Sequence, residues 1–420
     1  MRRRVRRPTP EVPRRRRAAL LGTLCGITVV ATAMLVVGFG TKLPCTGTLD
    51  PGFLPHRYCY ADVAELFRAR QLGRHIFPYV HGVMTTSATG SVFIGHGEVE
   101  YPVLTGVFIW LCALPVGSAG AFQVATSLML APFGLLAAWA LWRMTGTRAL
   151  YFLLTPAFAA YAFLNWDLIG VGLALAGIYM WYRDRTNWAA FLFAVGTCAK
   201  VWPGLMLLPL LTQCALNDRR TAVKAGGLAA GTALLVNAPF LLVNARGWYI
   251  PFLFQSRRAV SIDTNSLWYW GAHWLSTSAV NVLSTVAVAA GLVAVLAWSV
   301  RHYRRTGTYP FLQVSAISVA WYLVAWKVWS PQYDLWLLPF FALMAYERRI
   351  WLHFVLSDLA LYTWWLFDPA STLRWLLAVV VLWRVAAVLW LIRSSIACAP
   401  SCDRISADSV RSSCVRLVPT

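Results

Sequence analysis

Apolar runs of about 20 residues recur along this chain, and their length constrains the fold more than any other feature. A helix needs roughly 20 apolar residues to cross the hydrocarbon of a bilayer, and runs near that length extend from Ala18 to Ile392. Backbone groups in lipid must be hydrogen-bonded within the protein, which leaves helices or a closed barrel. The runs do not alternate as barrel strands do. With 59% hydrophobic residues, 13% charged residues and a mean hydropathy of +0.59, the chain is predicted to be a polytopic all-α membrane protein.

The distribution of positive charge predicts the orientation of the helices. Much of the net charge of +21 lies in "MRRRVRRPTPEVPRRRR" and in short loops such as "RHYRRTG" and "ERR". Arginine and lysine next to membrane helices mark cytoplasmic loops. This topology accounts for the charge, so nucleic acid is not an expected partner. The basic N-terminus precedes a long apolar stretch without a clear small-x-small cleavage site, which predicts a retained first helix rather than a signal peptide.

The same rule predicts about 10–12 membrane helices with both termini in the cytoplasm. The predicted helices cover 18–39, 120–142, 149–164, 168–182, 189–200, 202–215, 222–244, 277–300, 309–328, 332–346, 350–366 and 373–393. The segment 101–117 contains Pro102 and Pro115 and is predicted to be re-entrant. The helices on either side of Trp202 and Pro203 are short, so they are expected to be broken or to end in a cavity.

Three regions follow from this arrangement. Residues 1–17 form a basic cytoplasmic tail, 18–397 the membrane domain with a large first external loop at 40–100, and 398–420 a cytoplasmic C-terminal tail. The strong preference for arginine over lysine favours a high-GC bacterium, and the plasma membrane is the expected location.

Polar motifs concentrate at the predicted external ends of the helices, whereas the cytoplasmic loops are simply basic. These motifs are "CYADVAELF", "FLNWDLIG", "AKVWPG", "RRAVSIDTNSLWYWGAHW", "WKVWSPQYDLW" and "LFDPAST". Ionisable residues at membrane ends are costly unless they are paired or hydrated, so their clustering indicates an external cavity used for chemistry or transport. The simpler interpretation is an interfacial aromatic belt with solvated charges, which explains most tryptophans but not the acids of "CYADVAE" or the "DTNS" run.

The order of seven short motifs resembles glycosyltransferase family 87, the polyprenyl-phosphate-mannose-dependent α-mannosyltransferases of the glycosyltransferase C superfamily. The motifs are "CYADVAELF", "PYV", "EYPVLTG", "NWDLIGVGLALAG", "GTCAKVWPGLMLLPLL", "DTNSLWYW" and "SPQYDLWLLP", and the resemblance covers about residues 18–395. Each motif is loose, but their shared order is fairly specific. The resemblance implies a glycosyltransferase C bundle and an inverting sugar transfer at the external face. It also implies that an acid in the first external loop is the base, and Asp62 in "YADV" matches that position.

The chemistry of such a transfer can be stated without the family. It needs a base for the acceptor hydroxyl, cations for the departing phosphate, a groove for the lipid and a platform for the sugar. The apolar positions Val63, Leu66 and Phe67 predict an amphipathic interfacial helix that holds Asp62 at headgroup level. The alternative is that Asp62 only caps a helix. Glu65 and Glu100 are competing bases in the same loop.

Further side chains at the external face are candidates for substrate binding. They are Glu65, Glu100, Tyr101, Asn165, Asp167, Lys200, Arg257, Arg258, Asp263, Asn265, His273, Lys327, Gln332 and Tyr333. Lys200, between apolar half-helices, is the strongest candidate for binding a phosphate; the alternative is a snorkelling lysine. Arg257 and Arg258 offer guanidinium donors for phosphate, and Asp263 and Asn265 offer partners for sugar hydroxyls, although a solvated loop is simpler.

Metals, cofactors and structural zinc are not expected. No histidine spacing resembles a metal motif, lone interfacial histidines such as His273 are the default interpretation, and the resemblance implies no metal for a lipid-monophosphate donor. The tail cysteines lack a fourth ligand for zinc. Cys45 and Cys59 lie in the first external loop, where a disulfide just before Asp62 is expected, with two free thiols as the alternative.

These features predict an integral-membrane glycosyltransferase. It would move a sugar, with mannose the expected one, from a polyprenyl-phosphate donor to a hydroxyl of a glycolipid or glycan acceptor. The alternative is a transporter or flippase for a lipid-linked sugar. Transporters usually have related halves and polar groups near the midplane, whereas here the polar groups cluster at one face and the halves differ.

Overall fold

The fold is mostly helical, in a computed structural model that describes residues 14–46, 61–86, 92–272, 274–344, 346–367 and 373–415. Within these residues there are seventeen α-helices and one two-stranded hairpin. The helices are α1 (Arg14–Gly40), α2 (Asp62–Ala69), α3 (Val103–Ala113), α4 (Ala119–Thr145), α5 (Leu150–Leu153), α6 (Pro156–Tyr161), α7 (Asp167–Tyr182), α8 (Thr186–Ala199), α9 (Leu207–Asn217), α10 (Arg219–Val243), α11 (Ala245–Arg257), α12 (Leu267–Gly271), α13 (Thr277–Thr306), α14 (Phe311–Ala325), α15 (Leu338–Leu343), α16 (Arg348–Phe367) and α17 (Arg374–Val415).

Five helical stretches in the described part of the chain are long and apolar enough to cross a membrane. They are Ala119–Leu153, Arg219–Val243, Thr277–Thr306, Arg348–Phe367 and Arg374–Ala397. Shorter apolar helices join them, namely Leu24–Gly40, Val103–Ala113, Asp167–Tyr182, Thr186–Ala199 and Phe311–Ala325. The predicted all-α bundle is confirmed, and the length and composition of these helices indicate a membrane protein.

The outer faces of α10 and α13 are apolar and uncovered. Leu242 on α10 is 84% exposed and Val293 on α13 is 67% exposed, among many similar side chains. A soluble monomer rarely leaves contiguous apolar surface of this kind in water. These faces are the surfaces that lipid would cover.

The core forms around α7, which packs against α4 on one side and α8 on the other. Small residues permit this close packing, as they do in membrane bundles generally. A Cβ at Gly172 would lie 2.8 Å from the Phe133 carbonyl oxygen, so only glycine fits between α7 and α4 at this point.

Several predicted single helices are broken, which corrects the sequence-based boundaries. The predicted helix 149–164 is a 3₁₀ turn followed by α5 and α6, because Pro156 has no N–H to continue the helix and instead starts α6. The predicted 202–215 begins as a 3₁₀ turn at Trp202–Met206, and the predicted 332–346 begins as one at Pro331–Trp336. The expected break beside Trp202 is confirmed.

Three other segments also differ from the sequence-based outline or refine it. The helix α11 was not predicted, and α17 continues to Val415 through the residues expected to form a C-terminal tail. The segment predicted to be re-entrant contains α3, whose 11 residues rise about 16 Å, roughly half the hydrocarbon thickness.

The described part of the loop predicted to be external, residues 40–100, contains α2 and a short hairpin. Strand β1 (Met84–Thr86) pairs antiparallel with β2 (Val92–Ile94), with Met84 opposite Ile94. Cys45 is disulfide-bonded, and Cys59 lies outside the described residues. The predicted pairing of these two cysteines stays a prediction.

Candidate functional site

Asp62 begins α2 but does not cap it. The N-cap residue is Ala61, without a side-chain cap, and Val63, Leu66 and Phe67 bury one face of the helix, as the amphipathic pattern predicted. The half-buried Asp62 instead turns its carboxylate towards other segments. Its Oδ2 accepts hydrogen bonds from Asn165 Nδ2 at 2.7 Å and from Gln332 Nε2 at 3.3 Å.

Asn165 joins the acid to a cation. Its Oδ1 accepts from Lys200 Nζ at 2.8 Å and from the Trp166 backbone N–H at 2.6 Å. These two donors fix the amide orientation, so Nδ2 must face Asp62 and the Tyr101 hydroxyl, which lies 2.9 Å away. The neutral amide therefore separates the carboxylate from the lysine.

Lys200 is held at the break between α8 and the following 3₁₀ turn. Its Nζ lies 3.4 Å from Asp167 Oδ1 and 4.5 Å from the centre of the Tyr101 ring. The same Asp167 oxygen accepts from Trp336 Nε1 at 3.0 Å. Asp167 is fully buried and lines neither of the cavities described below. It therefore contacts Lys200 from the protein interior, on the side away from the cavities.

The environment of Asp62 makes its carboxylate unusually basic. Burial raises the pKa of Asp62 from 3.8 to about 6, against the opposing effects of the Asn165 hydrogen bond and the positive charge of Lys200. A carboxylate in this range is ionised at neutral pH and remains able to take a proton. These properties suit a general base.

Two adjoining cavities meet beside Asp62. The smaller, of about 220 Å³, is lined by Asp62, Asn165, Gln332 and Arg258 among others. The larger, of about 1110 Å³, lies among α11, α13 and the ends of α8 and α14, and Lys200 lines it. Four residues line both cavities: Glu100, Tyr101, Gln255 and Tyr333. The two cavities therefore adjoin at these four residues, and Asp62 lines the smaller one.

Glu100 is present at this junction but is already paired. Arg70 Nε and Nη2 each lie 3.3 Å from a different Glu100 carboxylate oxygen. Arg70 also donates to the Ile94 carbonyl oxygen of the hairpin at 2.8 Å. This fork arrangement engages both carboxylate oxygens of Glu100 in charge-assisted hydrogen bonds.

The predicted cations have different roles. The exposed Arg257 lines the larger cavity, and Arg258 lines the smaller one with its Nη2 3.4 Å from Asp263 Oδ2. Lys327 lines the larger cavity, but its ammonium donates to the Gln255 and Arg258 carbonyl oxygens at 2.7 and 2.8 Å, and to the Asn281 side-chain oxygen. An ammonium has three N–H donors. These three contacts fix Lys327 at the end of α11 and beside α13, and its predicted role in substrate binding stays a prediction.

The remaining predicted residues are not all brought to the site. Glu65 is exposed on α2 and lines neither cavity, whereas the exposed Asp263 lines the smaller one. Asn265 is buried, accepts from Trp365 Nε1 at 3.1 Å and lines neither cavity. His273 lies outside the described residues. Among the described residues, no group of three or more His, Cys, Asp or Glu side chains could hold a metal ion.

Sequence reasoning missed several residues that build the site. Arg70 and Gln255 gave no distinctive signal, because an arginine in a loop and a glutamine near a helix end are common. Asp334, the acid of the "SPQYDLWLLP" motif, forms a buried ion pair with Arg384 at 2.7 Å. Arg384 did carry a signal, since it is a lone charge inside "VVVLWRVAAVLW".

The site therefore combines a raised-pKa carboxylate, two amides and a lysine at the junction of a small and a large cavity. The described residues provide this arrangement from one short interfacial helix and three helix breaks. No family model and no curated protein sequence matches this chain.

Proposed function

We propose that the protein is an integral-membrane glycosyltransferase of the glycosyltransferase C type. It transfers a sugar, mannose in the first instance, from a polyprenyl-phosphate donor to a hydroxyl of a glycolipid or glycan at the external face of a bacterial plasma membrane. The observation that carries the proposal is the position of Asp62, a basic carboxylate oriented by Asn165 and Gln332 where the two cavities adjoin.

The reaction assigns one task to each part of the site. Asp62 takes the proton of the acceptor hydroxyl as its oxygen attacks the anomeric carbon. The bond from that carbon to the phosphate oxygen breaks, and the electron pair leaves with the lipid phosphate. Attack opposite to the leaving group inverts the configuration. Lys200 and Arg257, which line the larger cavity, supply positive charge for the phosphate.

The two cavities match the two ends of such a donor. The smaller cavity suits one sugar ring, with Tyr333 and Trp365 as apolar walls and polar groups for hydroxyls. The larger cavity carries apolar side chains from α11 and α13, including Phe252, Val282 and Val286, which suit a prenyl chain. Val282 and Val286 are also exposed on α13, so a lipid could reach this cavity from the membrane.

Transport of a lipid-linked sugar is the competing function, because the larger cavity would suit it equally. Purified protein is assayed in detergent and in proteoliposomes with labelled polyprenyl-phosphate mannose and a panel of glycolipid and glycan acceptors. We expect a glycosidic product without net movement of donor between leaflets. Equilibration of donor across the bilayer, with no product from any acceptor, would establish transport instead.

A further inference from the structure

A fully buried arginine lies inside the last membrane helix. Arg384 on α17 is 0% exposed and belongs to the stretch Arg374–Ala397, which is apolar enough to span a membrane. A charge at such a position is costly unless it is paired, and it usually marks a functional role. Arg384 lines neither of the two cavities, so it does not act by touching a substrate there.

The contacts of the Arg384 guanidinium are made with one short segment between α14 and α15. Arg384 Nε and Nη2 donate to the two oxygens of Asp334 at 2.9 and 2.7 Å. Nη1 donates to the Trp329 carbonyl oxygen at 3.0 Å and Nη2 to that of Ser330 at 3.4 Å. The guanidinium also stacks 4.0 Å from the Trp329 ring, whose Nε1 donates to Asp334 Oδ1 at 2.9 Å. One side chain thus holds both ends of residues 329–334.

This segment, which we call the 329–334 clamp loop, carries two residues of the site. Gln332 donates to Asp62 at 3.3 Å, and Tyr333 lines both cavities. The loop follows α14 and includes the first four residues of the 3₁₀ turn Pro331–Trp336, so its backbone does not form the regular hydrogen bonds of an α-helix, and the Trp329 and Ser330 carbonyl oxygens accept from Arg384. The five N–H donors of an arginine in a rigid fork suit such carbonyl groups together with a carboxylate.

We propose that Arg384 is a positioning residue that fixes the clamp loop so that Gln332 and Tyr333 meet Asp62 and the bound sugar. The inference rests on the proposed function for its effect on turnover. Whether Arg384 fixes the geometry of the clamp loop can be tested independently of that function.

Two buried acids lie near Arg384, and they determine which substitutions of the arginine can be interpreted. Asp334 is fully buried, and Asp358 on α16 is 1% exposed, with its Oδ1 2.8 Å from the Tyr161 hydroxyl. Removing the arginine alone would leave buried carboxylate charge uncompensated, which is strongly destabilising. Arg384→Lys keeps the charge but loses the fork. The pair Arg384→Met with Asp334→Leu removes both members of the ion pair, and such replacements are often tolerated.

The experiment compares Arg384→Lys with Arg393→Lys, an exposed arginine on the same helix. We expect Arg384→Lys to lower kcat by about 10²-fold, as misplacement of a site by about 1 Å can do, with little change in donor KM. Arg393→Lys is expected to match wild type. If Arg384→Lys does not fold, the neutral pair is measured in its place. A wild-type kcat in the variant that folds would overturn the proposal.

Two further readouts separate positioning from a general loss of structure. Hydrogen exchange of the peptide spanning 329–336 should be faster in the variant, while peptides from α7 exchange as in wild type. The effects of Arg384→Lys and Gln332→Leu on kcat should be less than additive, because one acts through the other. Unchanged exchange in the clamp loop, or additive effects, would refute positioning. If wild type transfers no sugar, the proposed function fails and the exchange measurement alone decides whether Arg384 holds the loop.

Discussion

Asp62 owes its raised pKa chiefly to burial and its orientation to two neutral amides. Two amides donate to its Oδ2, and Lys200 is linked to it through the amide of Asn165. Direct contact with lysine would favour the ionised form and lower the affinity of the carboxylate for a proton. The intervening amide keeps the carboxylate in place without neutralising it, which a general base requires.

Replacing Asp62 with asparagine tests the assignment of the base. Asp62→Asn keeps size and hydrogen bonding but cannot take a proton, so transfer should fall by roughly 10²- to 10⁴-fold while donor binding barely changes. Turnover and equilibrium donor binding are measured in the same detergent preparation.

Glu65→Gln and Glu100→Gln are the matched controls. Glu65 is exposed, and Glu100 is paired with Arg70, so neither change should remove the base. A near wild-type rate for Asp62→Asn, together with an inactive Glu100→Gln that still binds donor, would transfer the role of base to Glu100.

The pH dependence of transfer follows from the raised pKa of Asp62. With a pKa of about 6, the carboxylate is about nine-tenths ionised at pH 7 and about one-tenth ionised at pH 5. Because only the ionised form accepts a proton, kcat/KM should fall about tenfold per pH unit below pH 6. The residual kcat/KM of Asp62→Asn should not show this fall at acidic pH. A wild-type kcat/KM that stays constant down to pH 5 would contradict the prediction.

At the level of elements, the site is made where helices stop. Asn165 lies between α6 and α7, Lys200 between α8 and a 3₁₀ turn, and Gln332 in the turn before α15. Non-helical backbone is tolerated at membrane depth when it lines a cavity or is buried in protein. The short, Pro-interrupted helices are therefore the elements that carry polar side chains inward.

The ion pair at one of these breaks should matter for stability. Lys200 and Asp167 are both buried, so Lys200→Met or Asp167→Leu alone should destabilise the protein by about 3–5 kcal/mol, because each leaves an uncompensated charge. The double variant should recover much of this loss. Thermal unfolding in detergent provides the measurement.

Arg258→Met is the comparison for this ion pair. Its partner Asp263 is largely exposed and lies 3.4 Å away, and exposed pairs contribute about 0–1 kcal/mol. The unfolding temperature of Arg258→Met should therefore be close to that of wild type. An equally small effect of Lys200→Met would show that the pair at the break is not structurally important.

For the whole molecule, apolar outer faces and basic loops together define an orientation. The exposed apolar faces of α10 and α13 give the membrane belt. The arginine-rich end of α13 contains Arg301, Arg304 and Arg305, while α2 carries Asp62 and Glu65 in its first turn. From the positive-inside rule we expect the arginine-rich end of α13 to face the cytoplasm and α2 to lie on the opposite side of the membrane.

Cysteines introduced by substitution can test this orientation. Arg68→Cys on α2 and Arg304→Cys on α13 replace exposed residues outside the site. An impermeant maleimide should label Arg68→Cys in intact cells and Arg304→Cys only after the membrane is opened, each measured as labelling in excess of the unsubstituted chain, which has nine cysteines of its own. The opposite labelling pattern would invert the proposed topology and place the site in the cytoplasm.

The sequence by itself determined the helical membrane class and most long helices, because apolar length and periodicity are local properties. It also selected Asp62, Lys200 and Gln332, since polar residues at the ends of apolar runs stand out. It misplaced helix ends at Pro156 and in the 331–336 turn, where a break costs little once neighbouring side chains take up the free backbone groups.

Only the tertiary structure decided which polar residues meet. Asp62 contacts Asn165 and Gln332, which are 103 and 270 positions away in the chain. In the structure Lys327 also hydrogen-bonds to the end of α11, and Asp334 pairs with Arg384. Such pairings depend on how distant helices pack, and the local pattern of a segment contains no record of its partner.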